Sequence, residues 1–134
     1  MEPGHAMLTI ADLVAACMAQ PEAELTRPFG DDVMVFKVAA KMFALVPDDA
    51  DPPSISLKGD PLDNQALRQR YTSVTGGYHL NKVHWNTVNI TGEIPTDEVR
   101  HLIEDSYDLI VDGLPKKVKL RLQGQVRAVD LPPR

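Results

Sequence analysis

The stretch Tyr78–Pro95, YHLNKVHWNTVNITGEIP, decides how the rest of the chain is read. It holds the only Trp, Trp85, and two of the four His, His79 and His84. Asn81 and Lys82 stand between them. From Trp85 to Ile90 the run predicts a strand, because β-branched and aromatic side chains suit a pleated surface. Val88 and Ile90 fall on one face of that strand, Trp85 and Thr87 on the other. Thr91-Gly92 is turn chemistry and leads towards a helix. A lone strand is not stable, so the flanking chain must supply its partners.

Upstream, four further runs read as strands: Glu24–Phe29, Val33–Val38, Met42–Val46 and Ser54–Lys58. Their connections are short, which favours an antiparallel meander. Gly30-Asp31-Asp32 and Ala39-Ala40-Lys41 are the turns. The polar loop Pro47–Pro53 contains three Asp but lacks the Gly and closing Glu of a calcium loop. Asp60 caps a helix with Pro61 at its first position, and Arg68 and Arg70 close it. Thr75-Gly76-Gly77 reads as a break. At the start of the chain, Ile10, Leu13, Val14, Cys17 and Met18 form one face of an amphipathic helix over Met7–Gln20. Thr9 and Asp12 form its capping box and Pro21 ends it. Cys17 on that face reads as core.

Downstream, Thr96 is the expected cap of a long helix. Val99, Leu102, Ile103, Tyr107, Ile110, Val111 and Leu114 give it the strongest periodicity in the chain. Gly113 and Pro115 end it. Val118, Leu120 and Leu122 then alternate with basic residues, as a short strand or a helical extension. The expected fold class is α+β: an antiparallel sheet of about five or six strands with the N- and C-terminal helices packed on one face.

The chain has 134 residues, 43% hydrophobic and 25% charged, which suits one globular domain. The expected division is a leader over 1–6, a domain over 7–117 and a basic C-terminal tail over 118–134. Net charge is −5. Residues 1–114 hold eight basic and eighteen acidic side chains, and residues 115–134 hold six basic and one acidic. An acidic body thus carries a basic end. No apolar run is long enough to span a membrane, and no secretory start is visible. The single Cys excludes an intrachain disulfide and fits a reducing, cytoplasmic setting.

HLNKVHWNTV at 79–88, the Gly-containing turn after it, and Asp105-Ser106-Tyr107 in the last helix resemble the MmcQ/YjbR family of small bacterial proteins. SLKGDP at 56–61, Gln20-Pro21 and DGLPKK at 112–117 extend the likeness across roughly residues 7–117. The resemblance implies a CyaY-like fold, similar to frataxin and comparable with a phage double-wing DNA-binding domain. It also implies DNA binding.

The candidate nucleic-acid residues are Lys58, Arg68, Arg70, His79, Asn81, Lys82, His84 and Trp85. Lys and Arg neutralise phosphates, while Asn81 offers a base contact and Trp85 a stacking surface. The expected binding is weak and electrostatic. A metal site is not expected: Glu104, Asp108 and Asp112, with Asp105 beside them, read as a solvated ridge, and His79 and His84 lack a third ligand. No catalytic motif is present, so neither an enzyme nor a cofactor is expected. The alternatives are a protein-interaction module, with its partner unspecified, and a frataxin-like acidic metal-binding domain. The expected state is a monomer or weak dimer.

Overall fold

Four helices lie against one six-stranded antiparallel sheet in a computed structural model that describes residues 7–125 and residue 127. In chain order the elements are α1 (Ile10–Met18), β1 (Glu24–Thr26), β2 (Val33–Val38), β3 (Lys41–Pro47), β4 (Ser54–Lys58), α2 (Pro61–Arg70), β5 (Val74–Gly76), β6 (Trp85–Asn89), α3 (Thr96–Asp112) and α4 (Lys116–Gln123). The strand order is β1-β2-β3-β4-β6-β5. The expected leader, residues 1–6, lies outside the described residues.

Period-two alternation sends Met34, Phe36 and Val38 of β2 and Ile55 and Leu57 of β4 into one core with Val88 of β6. Leu13 and Cys17 of α1 and Val99, Ile103, Tyr107 and Val111 of α3 fill the same core. Both helices therefore cover one face of the sheet, as expected. The Thr9–Asp12 capping box is present at the start of α1. Burial pushes the Cys17 thiol up to about 12, so it stays protonated inside the core.

A bulge in β3 shapes the centre. Phe36 pairs with Ala44, but Lys37 pairs with Met42, so Phe43 is the extra residue. Phe43 and Ala44 can then both face the helices. Both are fully buried, and the Phe43 ring meets Tyr107 edge to face at 5.4 Å. The β3–β4 ladder stops at Ala44–Leu57. Ser106 of α3 takes over there: its Oγ donates to the Phe43 carbonyl at 2.6 Å and accepts from the Lys58 N–H at 3.0 Å.

Three expectations need correction. Thr75-Gly76 is not a break but part of β5, an edge strand paired with β6. Three residues are too few to show alternation, and only the partner strand makes them a strand. Thr96 is the first residue of α3 rather than its cap. Pro95 holds the cap position, without a side-chain hydrogen bond. Third, residues 118–123 are not a separate tail. They belong to α4, which docks on the domain through Leu122, 2% exposed.

Opposite charges seat α4. Lys119 Nζ lies 2.7 Å from Asp112 Oδ1, and Arg121 pairs with Glu22. Arg127 pairs with Asp108 and lies over the Tyr107 ring. The acidic side of α3 is therefore partly a seat for cations of the same chain, not a purely solvated ridge. Exposed ion pairs add little, so the apolar contact should dominate. Leu122→Ala is expected to cost about 2 kcal/mol in chemical denaturation. Lys119→Ala is expected to cost under about 1 kcal/mol.

Candidate nucleic-acid interface

Among the described residues, helices cover one side of the sheet and none lies on the other. The register fixes which side chains occupy the uncovered side. One row runs Thr26, Val35, Leu45, Ser56, Thr87 and Thr75 across all six strands. Val33, Pro47, Ser54 and Asn89 lie towards one end, and Lys37, Lys58 and Trp85 towards the other. Among the described residues, no Asp or Glu of β2–β6 alternates to this side. Glu24, opposite Lys37 on β1, is the one strand carboxylate there. A hollow of about 290 Å3 opens on this side, bordered by Leu45, Ser56, Tyr78 and Thr87.

The loop after β5 folds back at the lysine end. A Cβ placed on Gly77 would lie 2.7 Å from the Trp85 Cβ and 3.1 Å from the Leu80 Cβ. Glycine is needed there for the backbone to come so close. Trp85 is 7% exposed. Asn86, the next residue, turns towards α2, where its Nδ2 donates to the Asn64 carbonyl. Trp85 therefore faces away from α2. It is also too deeply buried to serve as a stacking surface.

The sequence candidates do not gather on one surface. Arg68 lies on the helix side, where it donates to the Lys82 carbonyl at 3.0 Å and to Asn86 Oδ1. The Lys82 stem packs where a Gly76 Cβ would stand, and its Nζ donates to the Gly77 carbonyl at 2.9 Å. Arg70 lies over the Tyr71 ring, and the Tyr71 hydroxyl donates to Glu98. Asn81 Oδ1 accepts from the Val83 N–H, so its side chain closes a turn of the loop. The His84 ring is exposed, and its carbonyl accepts from the Gly59 N–H. Lys58 remains on the uncovered side. The exposed His79 lies beside Tyr78, with ring centroids 4.0 Å apart.

Two residues on this side escape the sequence reading. Lys37 interrupts the apolar run VMVFKV at a position opposite to Phe36, a signal that alternation carries. Tyr78 follows a Gly-Gly pair, which places an aromatic in a turn, and it is 72% exposed.

The motifs that carry the resemblance turn out to be scaffold. A Cβ on Gly59 would lie 2.4 Å from Asn64 Oδ1. Asn64 Nδ2 donates to the carbonyls of Gly59 and Val83. The Gly59-Asp60-Pro61 turn and the Asn81–Asn86 loop are thereby locked together. Ser106 and Tyr107 bind β3 and the turn that follows α1, the Tyr107 hydroxyl donating to the Pro21 carbonyl at 2.8 Å.

Comparison with known proteins agrees with this scaffold. A structure of the DUF419-domain protein DR2400 from Deinococcus radiodurans superposes with a TM-score of 0.81 at 38% identity, covering 87% of this chain and 89% of that one. A Pseudomonas syringae protein gives a TM-score of 0.64 at 27% identity, covering 74% and 96%. The uncharacterised protein YbdF of Escherichia coli O157:H7 is 42% identical over 103 residues, 77% of this chain and 84% of YbdF. The uncharacterised protein YjbR of Escherichia coli K12 is 37% identical over 117 residues, 87% of this chain and 99% of YjbR. The YjbR family model matches residues 18–109, and with relatives this similar along most of its length, the chain belongs to the YjbR family.

Proposed function

We propose that this chain is a non-enzymatic DNA-binding domain that works, weakly and electrostatically, through the uncovered side of its sheet. One observation supports the reading best. On a chain of net charge −5, the strands place Lys37 and Lys58 on the uncovered side against one strand carboxylate, Glu24. A phosphate chain responds to the local potential of such a surface rather than to net charge alone. Several other cations are engaged elsewhere: Arg68 and Lys82 hold the loop, Lys119 and Arg121 hold α4, and Arg127 pairs with Asp108. The surface proposed from sequence accordingly narrows to Lys58 and His79, joined by Lys37 and Tyr78. A cytoplasmic setting suits a domain whose one thiol, Cys17, is free and buried. Among the described residues no helix is long and apolar enough to cross a membrane.

Fluorescence anisotropy with labelled DNA at low and physiological salt tests this. Binding should be measurable at low salt and fall steeply as salt rises. Lys37→Glu/Lys58→Glu should flatten the salt slope by about two units, one for each lost contact. Arg70→Ala, on the helix side, should leave the slope unchanged. No binding at low salt would remove nucleic acid as the ligand and leave a protein partner as the better account.

A further inference from the structure

We infer that the uncovered side takes single-stranded rather than duplex nucleic acid, with the Tyr78 ring as the platform on which an unpaired base stacks. The inference rests on the DNA-binding reading above and names the form of the ligand. Tyr78 is exposed but its backbone is not loose. Its N–H donates to Thr87 Oγ1 at 3.1 Å, and that oxygen lies 2.7 Å from Ser56 Oγ across the strands. The loop behind it is held by Lys82 Nζ on the Gly77 carbonyl and by the Trp85 N–H on the Asn81 carbonyl at 2.9 Å. An aromatic ring on a fixed backbone loses little freedom on binding, which favours its use as an anchor.

The neighbouring residue supports the same role. His79 has φ of +58°, a left-handed conformation that is unfavourable for a residue with a Cβ. The surrounding hydrogen bonds hold it there, with its ring tilted 51° to Tyr78. The Tyr78 ring thus borders the hollow, with the His79 ring beside it. The hollow itself presents Ser54, Thr75 and Asn89, whose hydroxyl and amide groups suit base edges and sugars. Lys37 and Lys58 stand at the same end of the sheet as the loop, placed for backbone phosphates. Aromatic stacking requires an open base face, which a single strand offers and a duplex keeps inside its stack.

The test compares a labelled oligothymidylate of about ten nucleotides, within the span one small domain covers, with its duplex on oligoadenylate at one low salt concentration. The single strand should bind more tightly. Tyr78→Ala should weaken single-strand binding about tenfold while leaving duplex binding and the salt slope unchanged. Tyr78→Phe should bind as the parent does. Circular dichroism should show the same melting midpoint for both variants, because the ring is exposed. Equal affinity for the two forms, or no change on Tyr78→Ala, would overturn the stacking inference and leave the electrostatic reading standing. Absence of binding to either form would overturn both.

Discussion

Trp85→Ala should lower stability by about 3 kcal/mol or more, through a lost indole and the cavity left behind. Trp85 opens β6, faces Lys58 across β4 and Gly77 across the β5 side, and is covered by its own loop. Its N–H closes that loop on Asn81. The void would therefore open where a strand and its covering loop meet. In thermal unfolding the melting midpoint should fall by roughly 10 °C or more. Hydrogen exchange should rise first in residues 77–84, because the loop loses the surface it lies on. An unchanged midpoint would mean that the ring adds nothing to the core, against its observed burial.

Ser106→Ala should cost about 3 kcal/mol, although it removes a single oxygen. The hydroxyl serves the Phe43 carbonyl and the Lys58 N–H at once, where the bulge interrupts the β3–β4 ladder. Its loss leaves a donor and an acceptor unpaired under α3, and each such group costs about 1–3 kcal/mol. Urea unfolding should show a lower midpoint with an unchanged slope, since the surface exposed on unfolding is the same. A loss under about 1 kcal/mol would mean that the two backbone groups find another partner.

Much of the architecture is legible where one residue's position implies the next. The stripe of α3 and the alternation of β2 place the core correctly because helices and strands bury side chains at fixed periods. Features made by tertiary contact are not legible. The Phe43 bulge hides inside an apolar run, since a pair of adjacent buried residues has the same composition with or without a bulge. In α4, Val118, Leu120 and Leu122 look like strand alternation, yet in the helix Val118 and Leu122 face inward while Leu120 is exposed. The site suffers most. Arg68 and Lys82 look like phosphate ligands in a list of cations, and only the fold shows that backbone carbonyls already occupy them. Lys37 does not stand out in the sequence because its strand reads first as core.

The uncovered side of the sheet, not the helix side, is the proposed working surface, and residue-resolved NMR titration tests that most directly. Isotopically labelled protein is titrated at low salt with a short single-stranded oligonucleotide, following amide and methyl resonances. Shifts are expected at Lys37, Leu45, Lys58, Tyr78 and Thr87, reversed by added salt, with Arg70, Leu109 and the α4 residues unmoved. Shifts centred on α2 and α4, with the uncovered side silent, would contradict it.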